Sequence, residues 1–175
     1  MKKMGLKLLV LVIIGFMSGC ATLPRQAENL RFSRPNKEHK YAKTFTLKEG
    51  YLTRFVYEGK SIDDWTEALE AFNTLRKNYP PTLEGAYNFL IERRKKNCPE
   101  SSFNVISKDS SSILYEIKTT NCPPHSDENS ITRILYGNTN AFVLIYTNKI
   151  KSIPKEIRDE WIKIFSEAYI TTGWS

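Results

Sequence analysis

The first twenty residues, MKKMGLKLLVLVIIGFMSGC, constrain everything that follows them. Lys2, Lys3 and Lys7 form a basic start without an acidic residue, and Leu8 to Phe16 form an apolar run broken only by Gly15. A helix that crosses a bilayer needs about 20 apolar residues, so this run is too short to span one. A basic start, a short apolar core and small residues ahead of Cys20 are instead the layout of an export signal. The expectation is that residues 1–19 are cut away and the fold is built from the remainder in an oxidising compartment.

Within that segment, Met17-Ser18-Gly19-Cys20 resembles the lipobox of bacterial lipoproteins, with Met17 where leucine is usual. The resemblance implies that residues 1–19 are a lipoprotein signal peptide and that Cys20 becomes the mature N-terminus. It also implies that Cys20 carries a thioether-linked diacylglycerol and an amide-linked acyl chain such as palmitate. No other cofactor is expected. One acyl chain holds a protein only marginally, whereas two or three make release negligible. Ala21 stands where an aspartate typically retains such proteins at the inner membrane. In a Gram-negative host the resemblance therefore implies the outer membrane, with the domain facing the periplasm.

Composition narrows the rest. The formal charge is +7, and removal of three lysines with no acids leaves +4 on a mature chain. That modest excess, on an exported chain, argues against a nucleic-acid partner. Two cysteines remain beyond Cys20, and an isolated pair, Cys98 and Cys122, most simply forms a disulfide in an oxidising compartment. Its loop of about 25 residues would stabilise the fold by roughly 3.5 kcal/mol on chain-entropy grounds. The competing reading is a metal, because Cys122-Pro-Pro-His125 has CxxH spacing. Zinc would need two more ligands, for which Cys98 and the distant His39 are the only obvious Cys/His candidates; no metal site is expected.

Residues 20–40 hold two prolines and little periodicity, and read as a lipidated N-terminus and flexible tether whose basic residues face headgroups or solvent. Residues 41–175 read as one α+β domain. Thr44 to Thr46 and Tyr51 to Tyr57 suit strands around a Glu49-Gly50 turn. In residues 61–79, Trp65, Leu69, Phe72 and Leu75 recur at helical spacing behind a Ser61/Asp64 capping box, which predicts a helix. A second pattern points the other way. Tyr57-Glu58-Gly59 followed by Asp64-Trp65-Thr66-Glu67, with Cys98, Tyr115-Glu116, Cys122, Arg133, Gly137 and Trp161 further on, resembles small exported bacterial proteins in which this segment is a strand. Residues 63–75 thus stay open, with helix favoured.

Thr82 caps a helix to about Lys96, whose last turn gathers Arg93, Arg94, Lys95 and Lys96 at the negative end of the dipole. Strands follow at Phe103–Ser107, Ile113–Lys118, Ser130–Tyr136 and Ala141–Thr147, the last two joined by Gly137-Asn138-Thr139-Asn140. The last strand is apolar on both faces and should be central. Ile157, Trp161, Ile164, Phe165 and Ala168 mark a final helix, and residues 171–175 a short tail. The sum is an antiparallel sheet of five or six strands with two or three helices.

No catalytic residue is expected. There is no GxSxG and no phosphate loop, and His125 sits in a polar loop. Glu116 and Arg133 lie mid-strand in adjacent predicted strands and are expected to form a cross-strand polar pair. The leading expectation is a non-enzymatic, membrane-anchored envelope lipoprotein that binds a protein partner or helps an assembly. A carrier or sensor of a small apolar ligand or lipid, lined by Trp65, Tyr87, Phe142 and Trp161, is the second. A cell-wall or glycan hydrolase with two facing carboxylates is the third.

Overall fold

The computed structural model describes residues 26–33, 39–57, 59–122, 127–150 and 152–174. Among these residues it is a sheet-rich, mostly antiparallel α+β fold with nine strands and two α-helices. One sheet has seven strands. They are β2 (His39–Thr46), β3 (Gly50–Tyr57), β4 (Glu67–Leu75), β5 (Ser102–Lys108), β6 (Ser112–Thr119), β7 (Glu128–Tyr136) and β8 (Asn140–Asn148), in the order β2-β3-β4-β8-β7-β6-β5. A separate two-stranded ribbon pairs β1 (Gln26–Arg31) with β9 (Tyr169–Trp174).

β8 lies mid-sheet, between β4 and β7, because its apolar residues alternate without a polar face. Side chains of opposite parity feed two cores. On one face Leu114, Ile131, Leu144, Tyr146, Leu69 and Phe55 meet α2 (Lys155–Ser166). On the other, Ile113, Tyr115, Ile134, Tyr136, Ala141 and Val143 meet α1 (Leu83–Asn97). α1 begins where the Thr82 hydroxyl accepts the Gly85 N–H at 3.0 Å, and it buries Leu83 and Ala86. α2 buries Trp161, Ile164 and Phe165, and the Trp161 ring stacks on Tyr146 at 4.5 Å. Both helices pack chiefly on β6 and β7. Cys98, which caps α1, is disulfide-bonded to Cys122 just beyond β6, with Cα atoms 5.1 Å apart.

Three expectations are corrected. Residues 67–75 are strand β4, not helix. The apolar spacing that reads as a helical stripe also suits a strand buried on both faces: Leu69 enters the α2-side core and Phe72 the α1-side core. β3 and β8 flank this segment on both sides, and their backbone groups need partners, which outweighs the local helix propensity of Ala68-Leu69-Glu70. Within residues 20–40, predicted to be a tether, Gln26–Arg31 form β1, and Leu30 and Phe32 pack against the α2-side core. The expected tail is β9, which pairs with β1 from Gln26↔Trp174 to Arg31↔Tyr169. These strands raise the total above the expected five or six.

Candidate functional site

Cys20 and His125 lie outside the described residues, and His39 begins β2. Cys98 and Cys122 are joined, as the isolated pair implied. The Glu116–Arg133 pair is not formed. The two residues are offset by two positions, since Glu116 faces Ile131 and Arg133 faces Leu114, and each takes a different partner. Glu116 accepts from Arg158 of α2 at 2.5 and 2.9 Å. Burial raises the Glu116 carboxyl, but hydrogen bonds from Arg158 and Asn104 outweigh it, so the group stays below its ordinary value. Arg133 donates to the Phe165 carbonyl at the end of α2 and to the Ser112 hydroxyl. The two charges therefore hold α2 on the sheet rather than forming a wall of a site.

Nor do the four aromatics proposed to line a ligand groove converge. Trp161 is in the α2-side core, and Phe142 is buried on that same face of β8. Tyr87 meets Tyr115 edge-on at 4.9 Å on the α1 side, and Trp65 is half-exposed beside β4.

Two arrangements emerge that sequence reasoning missed. The first is at the β7–β8 turn. Glu28 of β1, 8% exposed, accepts the N–H groups of Asn138, Thr139 and Asn140 at 2.6, 3.0 and 2.8 Å, and the Thr139 hydroxyl at 3.1 Å. Burial alone would raise the Glu28 carboxyl; these four donors hold it below its ordinary value. Successive N–H groups in a turn form an anion-binding concavity, here filled from within the same chain. A Cβ on Gly137 would collide with the Glu28 carboxylate. A cavity of about 360 Å³ lies beneath this ribbon, and both charged side chains lining it, Glu28 and Arg133, are already engaged. The legible signal was Gly137; Glu28 itself gave none.

The second lies on the α1 side of β2, β3 and β4, beyond the reach of α1. Lys43 sits 5.3 Å from the Phe45 ring centroid, and Arg54 lies 5.9 Å from Phe45 and 5.3 Å from Trp65. Lys149 sits 3.8 Å over Trp65. Arg54 is paired with Glu70 at 2.6 Å, whereas Lys43 and Lys149 have no carboxylate partner among the described residues. Below this array the Tyr57 and Tyr146 hydroxyls both donate to Glu67, at 2.8 and 2.5 Å, closing the sheet end. Burial and the Glu67 carboxylate push both phenols well above their ordinary range, so they remain neutral donors.

No group of three or more His, Cys, Asp or Glu side chains suited to a metal occurs among the described residues. No described helix is long and apolar enough to cross a membrane. Compared with known protein families and with curated proteins, the chain matches none.

Proposed function

We propose that the chain is an exported lipoprotein, held on the outer membrane through lipid on Cys20 and facing the periplasm, whose folded part docks a protein partner without catalysing a reaction. The observation that carries the docking role is the cation–aromatic array of Lys43, Phe45, Arg54, Trp65 and Lys149 on a helix-free stretch of sheet. Lys43 and Lys149, which have no carboxylate partner among the described residues, favour an acidic partner surface, and aromatic rings and arginine are common anchors at interfaces. The array lies on the face of the sheet, not its edges. Both edge strands carry a register shift, β2 at Tyr41/Lys43 and β5 at Val105/Ser107, and bulges of this kind discourage strand-to-strand pairing.

Two measurements test the proposal. Labelled palmitate should enter the native protein and be lost in Cys20→Ala; an unmodified cysteine on a chain retaining residues 1–19 would refute export and anchoring. Crosslinked envelopes should yield a reproducible protein partner that Lys43→Glu and Lys149→Glu release. Capture unaffected by both changes would refute docking at this array.

One observation favours a small ligand as a second reading. A crevice of about 180 Å³ under the C-terminal half of α1 has apolar walls of Leu90, Tyr115, Ile117 and Ile145, with Arg93 at its rim. The buried Ser130 hydroxyl beside it has no hydrogen-bond partner among the described residues. Thermal stabilisation by medium-chain carboxylates, lost in Arg93→Ala, would support that reading.

A further inference from the structure

The chain enters the described fold at Gln26, so the position of Gln26 governs which surface meets the membrane. Glu28, two residues on, is held in the β7–β8 turn, which puts Gln26 at the end of the sheet formed by that turn, the β2–β3 turn and the end of β4. Five residues stand between Cys20 and Gln26. Even fully stretched, those six steps reach about 20 Å at most. The strands of the sheet, eight or nine residues long in β3, β4 and β8, span about 30 Å. Lipid at Cys20 would therefore keep this end of the sheet near the bilayer and the opposite end, with Trp65 and Ile150, away from it.

The near end carries a patch of exposed large apolar side chains. Leu47, Tyr51 and Leu75 are 42%, 58% and 40% exposed. Together with Gly50, Asn73 and Asn140 they line one open groove of about 260 Å³. Lys48 and Glu49 line it from the β2–β3 turn, and Lys77 is exposed in the short 3-10 helix Arg76–Asn78 that follows β4. The groove is tied to the point of entry through one residue. Asn140 gives its N–H to Glu28 and its amide nitrogen to the Asn73 side chain, at 2.8 and 2.9 Å. Leucine and tyrosine with flanking lysine suit the headgroup boundary, where an aromatic ring presents an apolar body and a polar tip. Attachment a few residues away raises the local lipid concentration enough for a weak patch to engage.

We infer that the Leu47–Tyr51–Leu75 patch is a lipid-surface contact that seats the domain on its membrane, with Glu28 holding the near end in place. The inference rests on the proposed lipidation of Cys20, and one experiment separates the two. The full chain, purified with its lipid, is placed in vesicles of phosphatidylethanolamine with a minority of phosphatidylglycerol. p-Benzoylphenylalanine is placed in turn at Leu47, Tyr51, Leu75 and, as the far-end control, Ile150, and the N-terminal fragment is weighed by mass spectrometry. The expected result is lipid crosslinked several-fold more at the three patch positions than at Ile150. Glu28→Ala, which releases β1 and lengthens the reach, should shrink that contrast. Equal lipid labelling at all four positions on a lipidated chain overturns this inference and leaves the anchor standing. Protein instead of lipid captured at the patch does the same. An unmodified Cys20 overturns both.

Discussion

The two halves of the seven-stranded sheet are built on different terms. β6, β7 and β8 are sealed on one face by α1 and on the other by α2, and nearly every residue of β7 and β8 is buried. β3 joins the α2-side core through Phe55, but the described side chains of β2 and most of those of β3 are half-buried or exposed. The clad half can repack little without loss, because each of its side chains fills space on a closed face. The open wing has few such obligations, and Lys43, Phe45, Trp65 and Lys149 stay half-buried or exposed there. Close packing and exposed cation–aromatic contacts are thus separated along one sheet.

The sharpest way to break this comparison is to cut both halves. Trp161→Ala removes a side chain that is 1% exposed and stacked on Tyr146, and should destabilise the fold by about 3–5 kcal/mol. Phe45→Ala, in the half-exposed wing, should cost about 1 kcal/mol or less. Equal shifts in the denaturation midpoint would mean that the wing is as much core as the clad half. Next in size is the disulfide. Replacing Cys98 and Cys122 together by serine should lower stability by about 3.5 kcal/mol, the cost of freeing a loop of roughly 25 residues in the unfolded chain. Reductant should shift wild type by the same amount and leave the double variant unmoved.

The same division explains what could be read from the sequence. In the clad half, burial enforces the pattern. The Gly137-Asn138-Thr139-Asn140 turn marked β7 and β8 as a hairpin, two apolar faces placed β8 mid-sheet, and the spacing from Ile157 to Phe165 located α2. In the wing and ribbon, long-range pairing decides the structure. Ala68-Leu69-Glu70 prefers helix locally, yet joins β3 to a strand more than seventy residues away. β1 and β9 are almost 150 residues apart, and neither is apolar enough to announce itself. The Glu116–Arg133 expectation failed for a related reason. Adjacent strands were identified, but register offset the two residues, and α2 supplied better partners to both. The Cys98–Cys122 bond needed only a count and the expectation of an oxidising compartment.

Glu28 offers a smaller and pH-dependent test of the ribbon. Glu28→Gln keeps the shape but loses the charge that four donors address, and should cost about 2 kcal/mol near neutrality. Because the folded carboxyl lies below its ordinary value of 4.5, its contribution is complete above that pH and is lost as pH falls through the lowered folded value. Wild type and Glu28→Gln should therefore converge in stability on acidification below 4.5. A gap that persists there would assign the loss to altered packing rather than to the charged clasp. Gly137→Ala, which crowds the same carboxylate, should reproduce much of the loss.

The smallest effect is the most informative about the wing. Lys149 lies 3.8 Å over the Trp65 ring, and such a contact at a half-exposed site contributes about 0.5–1 kcal/mol. Lys149→Ala should therefore move the denaturation midpoint little, and Lys149→Glu hardly more, because among the described residues no carboxylate pairs with the lysine. If the array serves recognition, capture of an envelope partner should still collapse in Lys149→Glu, since reversing an unpaired charge at an interface sets like charges against each other. A large loss of stability in Lys149→Ala would instead make the array a strut for the β3–β4 wing, with Trp65 as its cap. The comparison of stability with capture, measured on the same two variants, decides between a structural and a recognising wing.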